Sequence, residues 1–195
     1  MVVICGPAGV GKGSIVSGML NQRSDFVLSV SATTREPREA ETDGVQYYFV
    51  SDEQFDRMIE DKQMLEWAWV FGLNRYGTPK KAVDKLQSEG KTVILEIDLD
   101  GARQIRETAP DVVQIFIAPP SFEQLESRLR GRGTETDAQL EARLNTAKDE
   151  LQAQDEFDEV FINDELEKTT QEVLDYILRR KEENERSTGN RKTTN

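Results

Sequence analysis

Apolar and polar positions along the chain fall into two alternating patterns: short continuous apolar runs and longer segments with a helical period. The runs at 1–5 and 92–97 are almost entirely apolar, which is typical of strands that a parallel sheet buries on both faces. Comparable short runs lie at 26–30, 112–117 and 159–162. Because helical segments separate most of these runs, the pattern predicts an α/β protein with a mostly parallel sheet and helices on both faces.

Capping signals set the expected helix boundaries. Ser51 with Gln54, and Thr136 with Gln139, have the spacing of a capping box, in which side chains and backbone N–H groups satisfy each other. The pair at 78–79, Thr then Pro, suits the N-cap and the first position of another helix. The predicted helices span about 12–22, 52–61, 79–89, 101–109, 122–132, 137–154 and 166–178.

Three segments depart from this alternation. Residues 31–76 open with a polar loop and continue with aromatic, strand-like runs, which predicts an insertion outside the main sheet. Residues 128–145 are rich in arginine, with glycines between the first arginines, and form a second predicted insertion. Residues 179–195 are polar and lack periodicity, so they are expected to form a frayed tail. The predicted core comprises residues 1–30, 77–127 and 146–178.

Composition narrows the function classes. The net charge of -12, from 37 acidic and 25 basic residues, argues against a protein that coats nucleic acid. The absence of histidine excludes a Ser-His-Asp triad and histidine-ligated zinc. The single Cys5 cannot form an intramolecular disulfide, and its apolar run predicts a small buried hydrophobe. No apolar stretch approaches about 18 residues, so we expect a cytoplasmic protein that does not bind membranes.

A glycine-rich stretch between the first apolar run and the first helix carries the strongest chemical signal. Glycines allow successive backbone N–H groups to converge on one point, and the helix N-terminus adds its positive dipole end. A lysine in this position supplies a full charge for the outer phosphates of a nucleotide. The predicted ATP-binding loop comprises Gly6, Pro7, Ala8, Gly9, Val10, Gly11, Lys12, Gly13 and Ser14.

The loop departs from the commonest phosphate-loop pattern at one position. In that pattern a hydroxyl residue follows the lysine directly and helps to hold Mg²⁺. Here Gly13 follows Lys12, and Ser14 comes one residue later. This order resembles nucleoside monophosphate kinases more than GTPases. It leaves open whether Ser14 contacts Mg²⁺ directly or through water.

Four motifs together make the resemblance specific. They are GPAGVGKGS, SVSATTREPR followed by DGVQYYFVS, ILEIDLDGA, and RLRGRGTET with the later IND. In this order, from the phosphate loop to about residue 178, the chain resembles guanylate kinase. The resemblance implies a P-loop kinase that transfers the γ-phosphoryl group of ATP to GMP or dGMP, with Mg²⁺, in purine nucleotide metabolism. It further implies that residues 31–76 bind GMP and that residues 128–145 form a lid.

The resemblance also implies roles for individual residues. Lys12 and Arg35 would act in catalysis together with three lid arginines, Arg128, Arg132 and Arg143, and Asn163 would lie near the adenine of ATP. The GMP pocket would be lined by Ser31, Arg35, Arg38, Tyr47, Glu66, Tyr76, Thr78 and Asp98.

General chemistry is consistent with these roles. The acceptor in this reaction is an ionised phosphate oxygen, so transfer needs charge neutralisation rather than a general base. Arg35 and Arg38 suit a phosphate because guanidinium groups bind phosphate oxygens through two parallel bonds. Guanine presents N1–H and N2–H₂ as adjacent donors, which the carboxylate of Glu66 can accept together. Asp98 follows the central strand, at the sheet edge where proteins of this class bind ligands.

Three alternative functions were weighed against these residues. A GTPase would explain the D-x-x-G pattern at 98–101, but no N-K-x-D follows it. A non-catalytic guanylate-kinase-like binding module would not need the glycines, the lysine and the lid arginines that this chain retains. A kinase for AMP or TMP shares the phosphate loop but not SVSATTREPR. The sequence leaves the oligomeric state open.

Overall fold

The computed structural model describes residues 1–70, 72–131 and 136–192, with side chains described as far as residue 186. The strands are β1 (Val2–Cys5), β2 (Phe26–Leu28), β3 (Ser31–Thr33), β4 (Tyr47–Phe49), β5 (Met64–Val70), β6 (Asn74–Pro79), β7 (Thr92–Glu96), β8 (Val113–Ala118) and β9 (Glu159–Ile162). The helices are α1 (Lys12–Gln22), α2 (Asp52–Glu60), α3 (Lys80–Ser88), α4 (Leu99–Thr108), α5 (Phe122–Arg130), α6 (Asp137–Gln152) and α7 (Leu166–Lys192), and a 3₁₀ turn spans Gln154–Glu156.

The main sheet has five parallel strands in the order β2-β7-β1-β8-β9. Successive side chains of β1 point to opposite faces, so Ile4 packs in one hydrophobic cluster while Val3 and Cys5 pack in the other. Helices α1 and α7 contribute to the first cluster, and α3 and α4 contribute to the second. The predicted parallel sheet with helices on both faces is therefore confirmed. Cys5 is fully buried, as predicted, and burial raises the pKa of its thiol to about 12.

The first insertion forms a second sheet of four strands in the order β4-β3-β6-β5. Strand β3 pairs parallel with β4 and antiparallel with β6, and β5 and β6 form an antiparallel hairpin. Helix α2 connects β4 to β5 and begins with the predicted capping box of Ser51 and Gln54. This sheet stands beside the main sheet and supplies the other wall of the site described below.

Two boundaries in this region differ from the sequence prediction. Residues 31–33, expected to be part of a polar loop, form strand β3. Thr78 and Pro79, expected to begin a helix, end strand β6, and α3 begins at Lys80. Strand pairing explains why Thr78 does not begin a helix. It lies opposite Glu66, and its hydroxyl donates to that carboxylate. Local helix-start signals give way to a tertiary partner twelve residues away.

The last helix is also longer than predicted, since the expected frayed tail after residue 178 is helical as far as Lys192. Lys181 lies 3.8 Å from the carboxylate of Asp25 and so ties the helix to the start of β2. Arg186 and Glu182 form an ion pair at 3.6 Å with the i,i+4 spacing that stabilises a solvated helix. Over the described part of the chain, no helix combines the length and apolar character needed to cross a membrane.

Helix α4 and the predicted lid are two further regions to compare with the sequence prediction. Helix α4 begins at Leu99, two residues before the prediction, because Asp98 is its N-cap and accepts a hydrogen bond from the Gly101 N–H at 2.8 Å. In the predicted lid, α5 extends to Arg130 and α6 starts after the capping box of Thr136. Residues 132–135, which include the predicted catalytic Arg132, lie outside the described residues.

Candidate active site

The phosphate loop lies between the end of β1 and the start of α1, as predicted. Gly6 has a φ of 139°, and a Cβ added there would lie 2.2 Å from the carbonyl oxygen of Ile117. Gly11 is the N-cap of α1 with a φ of 104°, and its added Cβ would lie 2.5 Å from Nδ2 of Asn163. Both positions therefore require glycine, for conformation and for space. Lys12 donates from Nζ to the carbonyls of Gly6 and Pro7, which holds its ammonium over the loop.

Two predicted site residues support this loop from the side of β9. Asn163 is buried and donates from Nδ2 to the Val10 carbonyl at 2.7 Å. Arg128, near the end of α5, donates to the Val10 carbonyl at 3.3 Å and to the Asn163 carbonyl at 3.0 Å. The Oδ1 atom of Asn163 is buried and has no hydrogen-bond partner among the described residues. The two side chains thus fix the middle of the loop and leave one buried acceptor beside it.

A cleft of about 280 Å³ separates the loop from the four-stranded sheet. It brings together residues that the sequence analysis assigned separately to the nucleotide loop, to the GMP pocket and to the end of the central strand. Predicted residues in its wall are Gly6, Ala8, Lys12, Ser31, Tyr47, Glu66, Tyr76 and Asp98.

Glu66 is the most deeply buried acid in this wall, with 4% of its surface exposed. The Thr78 hydroxyl, itself fully buried, donates to its Oε1. The pKa of Glu66 is raised to about 7, chiefly by burial and also by the nearby charge of Asp98, while the Thr78 hydrogen bond lowers it. Burial likewise raises the pKa of Asp98, which the Gly101 N–H holds in place. Glu66 and Asp98 are thus two largely buried carboxyl groups of this wall that a ligand with hydrogen-bond donors would satisfy.

The predicted phosphate-binding arginines differ in their surroundings. Arg35 donates from Nε to the Tyr76 hydroxyl at 3.1 Å and pairs with Glu41 at 2.8 Å. Its guanidinium lies 5.4 Å from the centre of the Tyr47 ring. Arg38 has an exposed side chain, and its backbone N–H donates to Glu41 at 2.8 Å. Arg35 is thus held against Tyr47 and Tyr76 of the cleft wall, whereas the Arg38 side chain is exposed and does not line the cleft.

Three acidic residues of the site were missed by the sequence analysis. Glu41 joins Arg35 to the backbone of Arg38, but it stands in a polar loop with no periodic signal. Glu96 and Glu150 line the cleft, and burial raises the pKa of both, to about 7 for Glu150. A carboxylate inside the apolar run of β7 was a usable signal for Glu96. For Glu150, on a largely polar helix, the sequence offered none.

A second cavity of about 290 Å³ adjoins the cleft, and Ala8, Val70, Asp98 and Glu150 line both. Arg143, the second predicted lid arginine on a described element, projects from α6 into this cavity. The phosphate loop, the carboxylate wall and one lid arginine therefore surround connected space. Such an arrangement can hold two anionic ligands and neutralise charge between them.

The chain is similar to known guanylate kinases over most of its length. The family model described as guanylate kinase matches residues 1–180. A guanylate kinase of Cutibacterium acnes is 48% identical, over 91% of this chain and 89% of that protein. One of Prochlorococcus marinus is 51% identical, over 91% of this chain and 95% of that protein. The crystal structure of guanylate kinase from Anaplasma phagocytophilum superposes with a TM-score of 0.73 at 33% identity, covering 92% of this chain and 84% of that one.

Proposed function

We propose where the two substrates bind in this chain, which belongs to the guanylate kinase family and is an ATP:GMP phosphotransferase. GMP binds between the four-stranded sheet and the end of β7, and ATP binds on the phosphate loop. The observation that supports this assignment of the two binding sites is the cleft that Lys12 and Glu66 both line. The transferred phosphoryl group then passes through the space between the two.

On the GMP side, the carboxylate of Glu66 accepts guanine N1–H and N2–H₂. Its Oε1 is already held by Thr78, so the group is preorganised before the base arrives. Ser31 and Asp98, in the same wall, complete the contacts to the base and its sugar. The GMP phosphate binds at the other end of the pocket, to Arg35, Arg38, Tyr47 and Tyr76.

Support for the phosphate end comes from the arrangement around Arg35. Its three guanidinium nitrogens donate to Tyr76, Glu41 and the Glu36 carbonyl, and the group also lies against the ring of Tyr47. The planar group is therefore fixed in orientation while its charge remains near the cleft. Arg38 is proposed to turn toward the cleft when the phosphate is bound.

On the ATP side, the phosphates bind to the backbone N–H groups of residues 6–14, and the adenine lies near Asn163. Lys12, which donates to two loop carbonyls in the structure, is proposed to turn to the outer phosphates. Arg128, Arg132 and Arg143 neutralise the charge that spreads over the transferred group. No general base is required, which agrees with a chain that has no histidine.

Mg²⁺ is proposed to enter with ATP. Within the described residues no cluster of three or more acidic, histidine or cysteine side chains is placed to hold a metal ion. This fits Mg²⁺, which is commonly bound by one or two protein oxygens together with substrate phosphates and water. The exposed hydroxyl of Ser14, in the first turn of α1, supplies one such oxygen, directly or through water. The ion would neutralise phosphate charge and align the transferred group.

The test is an ADP-coupled assay of the purified protein with ATP and Mg²⁺, using GMP, AMP and TMP as acceptors. We expect turnover with GMP and a much lower kcat/KM with AMP and TMP. Faster turnover of AMP would overturn the proposed base recognition. Binding of GMP without turnover would instead indicate a non-catalytic binding module.

A further inference from the structure

Gln104, on the core helix α4, makes a paired contact with the backbone of the second sheet. Its Nε2 donates to the Trp67 carbonyl at 2.7 Å, and its Oε1 accepts from the Trp67 N–H at 3.1 Å. A primary amide has one acceptor and one donor group side by side, so it can satisfy both polar groups of one residue. Gln104 therefore binds Trp67 as a neighbouring strand would.

This contact lies at an edge of the sheet. Strand β5 is the last strand in the order β4-β3-β6-β5, so its outward N–H and C=O groups have no neighbouring strand of that sheet. The amide of Gln104 occupies that outward side at Trp67 and ties the strand to α4. A backbone irregularity between Met64 and Glu66 interrupts the pairing with β6 just before this point. The register of β5 around Glu66 thus depends on contacts from both sides.

The residue held in this way directly follows the guanine-facing carboxylate. Glu66 precedes Trp67, and its side chain reaches α4 one turn before Gln104. A Cβ added to Gly101 would lie 2.5 Å from Oε2 of Glu66 and 3.3 Å from Oδ1 of Asp98. Helix α4 therefore fixes the strand through Gln104 and leaves space for the carboxylate at Gly101.

We propose that Gln104 is a positioning residue for base selection, because its amide fixes the strand that carries Glu66 without itself lining the cleft. The proposal rests on the proposed contact between Glu66 and guanine. Its physical basis is that a bidentate carboxylate contact depends on the direction of the carboxylate plane. A small displacement of the strand misaligns one of the two guanine donors, whereas a purely structural tie would affect all substrates alike.

The test compares Gln104→Leu with the matched substitution Gln87→Leu, at an exposed position on α3. Leucine has a similar volume but satisfies neither polar group of Trp67. We expect Gln104→Leu to lower kcat/KM for GMP by about tenfold, while kcat/KM for AMP and the KM for ATP change little. Gln87→Leu should leave all three unchanged. Equal losses with GMP and AMP would overturn the proposal and leave Gln104 a structural tie.

A double-mutant cycle separates this proposal from the role of Glu66. If Gln104 acts through Glu66, adding Gln104→Leu to Glu66→Gln should not lower the GMP-to-AMP ratio further. An additive loss would overturn the proposal while leaving Glu66 intact as the base-selecting group. If Glu66→Gln alone leaves the ratio unchanged, the proposed role of Glu66 itself fails.

Gln104→Glu provides a second variant in case the leucine variant does not fold. Its carboxylate still accepts from the Trp67 N–H but faces the Trp67 carbonyl with another oxygen. We expect a fall in the GMP-to-AMP ratio of about the same size as for leucine. A glutamate variant with the wild-type ratio and melting temperature would overturn the proposal.

Discussion

The two sheets form their parts of the site in different ways. On the five-stranded sheet, the site is a backbone loop whose glycines adopt positive φ and leave space for Ile117 and Asn163. On the four-stranded sheet, the site consists of side chains that hold one another, such as Thr78 on Glu66 and Glu41 on Arg35. The first arrangement suits any nucleoside triphosphate, because all of them present the same phosphate oxygens. We propose that the second arrangement distinguishes one base from another through Glu66.

The difference separates rate from selectivity. Charge on the phosphate-loop side acts on the group that is transferred and should affect every acceptor. Side chains on the side of the second sheet are proposed to contact the acceptor alone, so Glu66 should affect one base more than another and Arg35 should affect the binding of any monophosphate. Substitutions on the two sides should therefore have different signatures, and the following predictions run from the largest expected effect to the smallest.

Lys12→Ala should cause the largest loss. Removing an electrostatic donor to the transferred group typically costs about 3–4 kcal/mol, or roughly 10² to 10³ in kcat. The loss should be similar with GMP and AMP, and the melting temperature should change little, because the Lys12 ammonium donates to two loop carbonyls and lies outside the hydrophobic core. Steady-state kinetics and a melting curve measure both. A loss confined to GMP would contradict the separation of the two sides.

Glu66→Gln should affect base selection. Glutamine can accept one guanine donor, but its NH₂ faces the other donor, so one charge-assisted bond is lost. Such bonds are worth about 1.5–3 kcal/mol, and a buried unpaired donor costs about 1–3 kcal/mol more. The kcat/KM for GMP should therefore fall by about 10² or more, and that for AMP by much less. An equal fall for both nucleotides would assign Glu66 a structural role and leave base selection to Ser31 and Asp98.

The same difference explains what could be predicted from sequence. The position of the phosphate loop could be predicted because its glycines and lysine lie within nine consecutive residues, although Asn163 and Arg128 also support it from distant elements. Glu66 was placed in the site by resemblance, but its partner Thr78 was wrongly expected to cap a helix. That partnership arises from strand pairing, which local signals do not report. Glu41 and Glu150 were missed because charged residues in polar segments are common, and only the tertiary structure brings Glu41 to Arg35 and Glu150 to the cleft.

Arg35→Lys should have a smaller, substrate-side effect. Lysine retains the charge but loses the planar group that binds phosphate through two bonds and lies against Tyr47. We expect the KM for GMP to rise by roughly tenfold with a smaller change in kcat, since one charge-assisted bond is lost. The KM for ATP should not change. The control is Arg23→Lys, which alters a half-buried ion pair with Asp25 away from the cleft. A rise in the KM for ATP would contradict this prediction, because Arg35 would then contribute to ATP binding.

Glu150→Gln should have the smallest effect on activity. Its effect on stability tests whether Glu150, on the main-sheet side of the site, destabilises the fold when it is ionised. Burial raises the pKa of Glu150 from 4.5 to about 7. Below pH 4.5 the carboxyl is protonated in both the folded and unfolded states and contributes no penalty. Between pH 4.5 and 7 only the unfolded state ionises, so the free energy of unfolding falls as pH rises. Above about pH 7 the penalty is complete, at about 1–3 kcal/mol.

Glutamine removes that penalty. The variant should therefore melt several degrees above the wild-type protein at pH 8, and the two should melt together near pH 4.5, since 1 kcal/mol corresponds to about 2–4 °C in a chain of this size. Glu141→Gln, at an exposed position on the same helix, is the control and should show no difference at either pH. A shift of equal size at both pH values would mean that the glutamine side chain packs better there for reasons unrelated to charge. In that case the ionisation of Glu150 would not affect stability. The contrast between the charged side chains of the four-stranded sheet and the backbone loop of the five-stranded sheet would then be sharper.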